Sequence, residues 1–484
     1  MSANNKTFIS NLLMLIGVNL LIKPFYVLVI EAQAQERIGA ENFGLYFALI
    51  NLSYILNILP DLGLTNWNNR HIAQQGIVIR SELKSLLRLR LILSAIYIVI
   101  CLSFAFALHY DNRALWLLLV LAFNQVLVAG VLFLRSYLSG MHQFASDRII
   151  SILDRLLLIL ILGGLLFITD HTSLFPLEYL VYSQTIAYGL TLVICYYLAK
   201  KLRVRPDSPS QIDTASVLKS SIPFAVLILI SMMSSRTDAI MLERMTDSYQ
   251  AGIYAMTFRL SDMLTMIAYL FAALLLPIFS RMLAQNNHPI EVFSIAFRLL
   301  LAGCAWVVAI SIVSPEWILD FIYDKHVKEA SLVLPWTIAS AALFSLQYTT
   351  GTLLTAAGKM KPLISIASIA FICNVTLNLL FIPSQLATGV AKAACATQAM
   401  VFVAQAAIVH FRFRIWTKSV LIQSTIFMLI VGSAVFTLEQ NRIDSSLATA
   451  ALTIVIITTA IVLKMVPIRE MILSIKPETI SNSK

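Results

Sequence analysis

Apolar runs long enough to cross a lipid bilayer recur along the whole chain. The hydrocarbon core of a bilayer is spanned by about 20 helical residues, and 59% of the 484 residues are hydrophobic while only 12% are charged. A soluble protein averages about 25% charged residues. The sequence therefore predicts an all-α polytopic membrane protein and argues against a soluble globular fold.

The 20-residue criterion predicts about fourteen transmembrane helices. The first run is too long for a signal peptide and lacks a small-residue cleavage site, and Lys23-Pro24 inside it predicts a kink. The predicted spans lie near 8–31, 43–62, 83–108, 114–138, 149–168, 179–199, 217–243, 252–280, 292–322, 330–356, 361–382, 386–411, 417–437 and 447–466.

Lysine and arginine are concentrated in alternate loops. "KKLRVR" (200–205) and "RFRIWTK" (412–418) belong to the rich set, whereas the intervening loops hold few cations. Cytoplasmic loops carry the excess of lysine and arginine in membrane proteins. The net charge of +10 therefore indicates membrane orientation rather than nucleic-acid binding, and both termini are predicted to be cytoplasmic.

A polar linker predicts the domain organisation. "AKKLRVRPDSPSQIDTAS" (199–216) contains two prolines and several serines, which is typical of a linker. The predicted parts are an N-lobe of six helices at 1–205, a cytoplasmic linker at 206–216, a C-lobe of six helices at 217–412, and two extra transmembrane helices with a cytoplasmic tail at 413–484.

An internal repeat relates the two predicted lobes. "FGLYFALINLSYILNILPD" (43–61) aligns with "AGIYAMTFRLSDMLTMIAY" (251–269), so that Gly44 matches Gly252. Each segment carries a polar stripe, which on a helical wheel of 3.6 residues per turn covers about 120°. The stripes consist of Asn51, Tyr54, Asn57 and Asp61, and of Arg259, Asp262, Thr265 and Tyr269. Because such groups usually face a bundle interior or a water-filled cavity, the lobes are predicted to be parallel repeats around a central cavity.

Four cations on four predicted helices lie at a similar depth. Lys23, Arg236, Arg259 and Lys392 each fall roughly 9–12 Å inside the predicted outer face, at 1.5 Å per residue. Together they predict an anion-binding level. A structural interpretation stays open as well, because lysines can extend to the headgroups and Arg259 can pair with Asp262 three residues further on.

"SSRTDAIML" (234–242) places two opposite charges two residues apart in an apolar span. Residues with this spacing lie on different faces of a helix and do not neutralise each other. Arg236 is therefore predicted to face a buried anion, and Asp238 to pair with a neighbouring helix or to titrate. Asp154-Arg155, in the fifth span, is interpreted as a structural pair.

Several kinds of chemistry have no sequence signal. The five cysteines lie in apolar spans without a CxxC motif, and the histidines lack metal-ligand spacing, so neither a disulfide nor a metal site is predicted. No Walker A sequence is present. The expectation is a protein without a cofactor that is not an enzyme.

Four segments resemble Wzx-type polysaccharide (O-antigen) flippases of the multidrug/oligosaccharidyl-lipid/polysaccharide exporter superfamily. They are "IKPFYVLVIEAQAQERIGAENFGLYFALINLSYILNILPDLGLTNWNNRHIAQ" (22–74), "RTDAIMLERMTDSYQAGIYAMTFRLSDML" (236–264), "LLLPIFSRM" (274–282) and "TAAGKMKPLISIASIAFICNVTLNLLFIPSQLATGVAKAACAT" (355–397). The resemblance implies two six-helix lobes, a cationic cavity, and transfer of a polyprenyl-diphosphate-linked oligosaccharide from the inner to the outer leaflet of the bacterial cytoplasmic (inner) membrane. Lys392 departs from the small apolar residues usual in its segment.

The predicted site combines three kinds of residue. The four cations would bind the diphosphate. The groups that would hydrogen-bond sugars are Asn51, Asn57 and Thr265, with Asn374 and Asn378 as further candidates, and Tyr54 and Tyr269 would line the cavity. The residues that would couple transport to an ion gradient are Asp61, Asp238 and Asp262. The alternative for the aspartates is that they only compensate buried arginines. Expected partners are the lipid-linked oligosaccharide, membrane lipids, a polysaccharide polymerase and glycosyltransferases.

Three other functions remain open at this point. A lipid II flippase shares the fold and also needs a basic cavity. A drug/cation antiporter of the same superfamily would have an acidic cavity, and a membrane polysaccharide polymerase or ligase would be an enzyme with a substantial outside loop. The basic spans argue against the antiporter and the short loops against the enzyme, whereas the lipid II flippase is harder to exclude.

Overall fold

The computed structural model describes residues 21–65, 68, 72, 78–141, 143–169, 175–200, 204–205, 214–441 and 444–465. A helical stretch at 21–25 continues into a π-helical segment at Tyr26–Glu31. The α-helices that follow are α1 (Ala32–Ile38), α2 (Ala40–Ile55), α3 (Arg80–Ala107), α4 (Asn112–Gly140), α5 (Phe144–Ile168), α6 (Leu177–Lys200), α7 (Thr214–Met245), α8 (Ser248–Ala284), α9 (Ile290–Val313), α10 (Pro315–Asp320), α11 (Val327–Ala356), α12 (Met360–Phe413), α13 (Lys418–Gln440) and α14 (Ser445–Val462). Two short strands, β1 (Val78–Ile79) and β2 (Val204–Arg205), pair in parallel.

The helices confirm an all-α polytopic membrane protein. Within the described ranges, ten helices are long and apolar enough to cross a membrane. One of them, α12, contains two predicted spans, since Leu386 has a non-helical backbone (φ 53°, ψ −134°) that divides it. Every predicted span overlaps a helix, although positions 8–20 of the first span lie outside the described residues.

The prediction of one helix over 43–62 is wrong in its last part. α2 ends at Ile55, and residues 56–63 form turns. Pro60 explains this end, because proline lacks the backbone N–H and clashes with the carbonyl four residues earlier. Asn57 and Asp61 therefore lie on turns and do not continue the polar face of α2.

The predicted span 292–322 is also interrupted. α9 ends at Val313, and the short α10 begins at Pro315. Ser314 between them has φ −137° and ψ 53°, as expected for a residue that a following proline excludes from the helical region.

The chain forms two compact units. The first comprises the described residues up to Met256 together with Ile322–Lys325 and Val375–Ala387, and the second comprises Thr257–Phe321, His326–Asn374 and the described residues from Thr388 onward. The predicted lobes at 1–205 and 217–412 are a division by sequence repeat, and they stay a prediction.

In the first unit, the repeated segments pack against each other through glycine. A Cβ atom on Gly44 would lie 1.6 Å from the carbonyl oxygen of Ser248, and one on Gly252 would lie 2.0 Å from that of Ala40. The contact is reciprocal. Gly44 faces Ser248, which lies four positions before Gly252, and Gly252 faces Ala40, which lies four positions before Gly44. Small residues spaced in this way let helix backbones approach closely in membranes.

In the second unit, the two C-terminal helices pack against α9. Trp416, just before α13, packs edge-to-face on Phe297 with the ring centroids 4.8 Å apart. Trp306 of α9 donates a hydrogen bond from Nε1 to Thr453 Oγ1 of α14 over 3.0 Å. The extra helices are therefore an integral part of the second unit.

Candidate functional site

Arg236 of α7 is positioned by α2 in the first unit. Its Nη1 atom donates to Asn51 Oδ1 over 3.4 Å, and its guanidinium lies 5.4 Å from the ring centroid of Tyr54. Asn51 is buried and also donates from Nδ2 to the Phe47 carbonyl over 2.7 Å. The residue as a whole is half-buried and its Nε atom is buried, so the guanidinium is oriented by its contacts with α2.

Asp238 has a different environment from Arg236, as their spacing predicts. Its Oδ1 atom accepts a hydrogen bond of 2.7 Å from Nδ2 of Asn378, and both side chains are buried. Asn378 lies on the part of α12 that belongs to the first unit. The structure thus confirms that Asp238 pairs with a neighbouring helix.

Arg155 of α5 is a second oriented cation in the first unit. Its guanidinium lies 5.2 Å from the ring centroid of Tyr26, its Nη1 atom lies 3.5 Å from Tyr188 Oη, and its Nε atom lies 3.7 Å from Asp154 Oδ2. Lys23 interacts electrostatically with both Arg155 and Asp154. The structure thus brings Lys23 together with a cation that the sequence indicated only as half of a structural pair.

The two cation environments lie within electrostatic range of each other. Tyr54, whose ring centroid lies 5.4 Å from the Arg236 guanidinium, is also close enough to Arg155 and Tyr188 for their charges to interact. We call Lys23, Tyr54, Arg155, Tyr188 and Arg236 the first-unit cluster. Tyr46, which accepts a hydrogen bond of 2.7 Å from Gln184, lies within electrostatic range of Tyr54 and Tyr188. The cluster offers three cations and several hydrogen-bonding groups, of which Arg155 and Tyr188 lie on helices long and apolar enough to cross a membrane.

Asp61 has a structural partner in the first unit. Its Oδ1 atom lies 3.0 Å from Arg90 Nη1, and the Arg90 side chain is only 6% exposed. Arg90 also donates to the carbonyl of Ala129 over 2.6 Å and packs on the ring of Phe133. Removal of the Asp61 carboxylate would leave a buried guanidinium without its counterion, a loss of about 3–5 kcal/mol for such pairs. Asn57 lies nearby, donating to Gln125 Oε1 over 3.4 Å.

The remaining predicted residues lie in the second unit. Arg259 is buried, Asp262 is exposed, and Thr265 donates to the Asp262 carbonyl over 2.8 Å. Tyr269 is 59% exposed and packs edge-to-face on Tyr348. These positions neither confirm nor contradict a binding role, and the common anion-binding level stays a prediction.

Lys392 has an aromatic partner within the second unit. Its Nζ atom lies 5.4 Å from the ring centroid of Trp336. Such a cation–π contact contributes about 0.5–1 kcal/mol at an exposed site, which accounts for a lysine at this half-buried position. Asn374, a further candidate for hydrogen bonding sugars, lies in the same unit and is buried.

A buried carboxylate marks the predicted outer end of α7. Glu243 accepts hydrogen bonds from Tyr110 Oη over 2.8 Å, from Ser248 Oγ over 3.1 Å, and from Arg244 at both of its oxygens over 2.6 Å. Burial, with the neighbouring carboxylate, raises the pKa of Tyr110 well above its usual range. Tyr110 therefore stays protonated as a donor, and the group forms a rigid connection between the α3–α4 and α7–α8 loops.

Known structures with a similar fold are membrane transport proteins. One titled "Lipid II flippase MurJ, inward closed conformation" aligns with a TM-score of 0.60 at 14% identity, covering 96% of this chain and 98% of that chain. An inward-facing multidrug resistance MATE family transporter of the MOP superfamily aligns with a TM-score of 0.57 at 14% identity, covering 81% and 96%. A MOP superfamily transporter from Pyrococcus furiosus aligns with a TM-score of 0.55 at 15% identity, covering 83% and 95%. At these identities the likeness establishes the fold alone, which is the multi-pass helical fold that these structures share.

The family follows from the sequence. The family model described as "Polysaccharide biosynthesis protein" matches residues 8–283, which is more than half of the chain. The chain therefore belongs to the polysaccharide biosynthesis protein family. No curated protein sequence matches it.

Proposed function

We propose that the protein is a flippase that moves a polyprenyl-diphosphate-linked oligosaccharide from the inner to the outer leaflet of the bacterial cytoplasmic membrane. The observation that carries this proposal is the first-unit cluster, which holds Lys23 and Arg236 on predicted spans and Arg155 on a helix long and apolar enough to cross a membrane. A charge at the bilayer centre costs about 2.5–3.5 kcal/mol on insertion scales, and such residues usually mark a substrate or ion pathway.

The chemistry of the cluster suits a diphosphate attached to sugars. A guanidinium offers paired N–H donors that match the oxygens of a phosphate, and Arg236 is held in place by Asn51 and Tyr54. Asn51 and the tyrosines supply groups that can hydrogen-bond sugar hydroxyls. Arg259 and Lys392 are proposed as further cations for the diphosphate, reached in alternating access.

The cellular setting belongs to the same proposal. Both termini would face the cytoplasm, where glycosyltransferases would supply the lipid-linked unit. A polysaccharide polymerase would use the unit on the opposite side of the membrane. This arrangement follows from the lysine and arginine content of the alternate loops.

Ion coupling is proposed for Asp61, Asp238 and Asp262. Asp61 lies beside a buried guanidinium, Asp238 accepts a hydrogen bond from Asn378, and Asp262 is exposed. Exchange of each aspartate for asparagine tests this. A coupling role requires that one variant lose the sensitivity of transport to an uncoupler, and equal sensitivity in all variants would reject it.

The experiment that tests the flippase is made in the native host. The gene is deleted, lipids are extracted, and the leaflet location of polyprenyl-diphosphate oligosaccharides is measured after complementation with wild type, Arg236→Ala, Arg155→Gln or Arg113→Ala. Arg113 is the matched control, because it is half-exposed and pairs with Glu178 at a helix end. Cytoplasmic accumulation relieved by wild type and Arg113→Ala, but not by the two cluster variants, supports the proposal.

Each other outcome identifies a different function. Accumulated lipid II would indicate a lipid II flippase. Complete units that reach the outer leaflet unpolymerised would indicate a polymerase. The absence of any accumulated lipid-linked sugar would reject the polysaccharide assignment and favour the antiporter.

A further inference from the structure

The second unit has a strongly basic surface on two neighbouring turns, α11–α12 and α12–α13. We call it the basic turn surface and define it by Lys359, Lys361, Arg412, Arg414 and Lys418, all of which are exposed. The sequence contains no aspartate or glutamate between Glu329 and Glu439. Within the ranges that the structure describes, none of the five cations forms an ion pair. Their charge is therefore available to an external anion.

The two turns pack on one hydrophobic cluster. Met360 at the start of α12, Phe413 at its end, and Trp416 just after it all pack against the same buried core. The non-helical backbone at Leu386 divides α12 into two helices, which lets the ends of the element return to this core. The cations on both turns consequently flank one hydrophobic core.

The α12–α13 turn is held rigidly. The Arg414 backbone N–H donates to the His410 carbonyl over 2.8 Å in a left-handed cap. Trp416 donates from Nε1 to the Ala406 carbonyl over 3.0 Å and packs on Phe297. Because the backbone is fixed by these contacts, the turn presents its cations with little loss of chain entropy when an anion binds.

Large apolar side chains border the cations. Phe411, next to Arg412, is 85% exposed, and Leu421 and Ile422, just after Lys418, are 50% and 57% exposed. A ligand that matches both features is anionic at one end and apolar at the other. A phospholipid has this chemistry, whereas a free phosphate or a nucleic acid lacks the apolar part.

We propose that the basic turn surface binds the headgroups of anionic phospholipids such as cardiolipin or phosphatidylglycerol, with acyl chains against Phe411. In the predicted orientation this surface faces the cytoplasm, where an excess of cations is general. The general excess does not require that residues 330–438 lack aspartate and glutamate or that the turn be rigid, and these two features favour a bound lipid. The proposal does not depend on the transported substrate.

The test uses the purified full-length protein in a neutral detergent. Thermal unfolding is followed while cardiolipin, phosphatidylglycerol, phosphatidylcholine or inorganic phosphate is titrated, which gives an apparent Kd for each. Wild type is compared with the triple variant Arg412→Gln/Arg414→Gln/Lys418→Gln. Each cation near an anionic lipid surface contributes about a fivefold affinity change, so the triple variant is expected to bind the anionic lipids on the order of a hundredfold more weakly.

Two further variants keep the result interpretable. Lys359→Gln/Lys361→Gln removes the cations of the other turn and is expected to weaken binding as well, even if the triple variant does not fold. Lys325→Gln/Lys328→Gln removes two exposed cations that have Asp324 and Glu329 as sequence neighbours, and it should bind like wild type. Equal stabilisation by phosphatidylcholine, or equal affinities in all variants, would overturn the proposal. Stabilisation by phosphate alone to the same extent would show an anion site without lipid specificity and would overturn it too.

Discussion

Replacement of Gly44 by alanine is the sharpest test of the packing between the repeated segments. A Cβ atom at this position would lie 1.6 Å from the carbonyl oxygen of Ser248, and real Cβ atoms essentially never come closer than 3.0 Å. The obstacle is backbone, so no side-chain rotation relieves it. The α2 and α8 backbones would have to separate by at least 1.4 Å at their crossing.

The loss of stability follows from the packing and the hydrogen bond that this separation disturbs. Overpacking of a filled contact costs about 1–3 kcal/mol. The hydrogen bond from Gln35 Nε2 to the Gly252 carbonyl, 3.1 Å long, would be stretched, and a net contribution of about 1 kcal/mol is typical of such a bond. Alanine recovers about 1 kcal/mol of helix propensity over glycine. The expected net destabilisation is about 1–3 kcal/mol.

Unfolding of the purified protein in detergent measures this cost, with Gly189→Ala as the matched control. Gly189 lies within α6 of the same unit and has no atom within 4 Å of an added Cβ, so its replacement should be neutral or slightly stabilising. Gly252→Ala should resemble Gly44→Ala, because its Cβ would meet the carbonyl of Ala40. Since both act on one crossing, the double variant should cost less than the sum of the two single changes.

Two results would refute this reasoning. Equal stability of Gly44→Ala and Gly189→Ala would show that the helices do not approach closely. Strict additivity of Gly44→Ala and Gly252→Ala would show that the glycines do not share one contact.

Three further predictions concern ionisable groups. Asp61→Asn should destabilise the protein by about 3–5 kcal/mol by isolating Arg90, whereas the double change Asp61→Leu/Arg90→Met should cost less; a double variant that is no more stable than the single one argues against the buried pair. A double-mutant cycle on Asp238 and Asn378, using alanine at each, should give a coupling energy of about 1.5–3 kcal/mol, as for hydrogen bonds to charged groups, and a value near zero rejects the contact. Hydrogen bonds from Ser446 lower the pKa of Asp444. The contribution of Asp444 to stability is therefore present above the unfolded pKa of about 3.9 and is lost as the pH falls through the lower folded pKa. Acid unfolding of Asp444→Ala should lack this component, and an unfolding profile identical to that of wild type would contradict the prediction.

Local sequence signals identified the spans because the bilayer imposes a length and a polarity on each helix separately. The ends of two helices could also be predicted from the sequence. Pro60 ends α2 near Ile55 and Pro315 ends α9 at Val313, and both prolines are visible in the sequence. The helical-wheel argument for Asn57 and Asp61 failed because it extended a helical period through a residue that cannot continue it.

The partners of the charged residues could not be identified from local sequence patterns. The spacing of Arg236 and Asp238 showed that they serve different neighbours, but only the packing of α7 against α2 and α12 identified Asn51, Tyr54 and Asn378 as those neighbours. Arg155 looked like half of a local pair with Asp154. In the structure its contacts include the ring of Tyr26 and the hydroxyl of Tyr188, which are far away in sequence.

The sequence by itself determined the membrane class, the approximate positions of the spans and the match between two segments, since each depends on residues within one helix or on a comparison of two stretches. The tertiary structure alone decided which side chains meet. Contacts between helices depend on how backbones approach each other, as at Gly44 and Gly252, and that approach is set by the packing of the whole unit rather than by any local pattern.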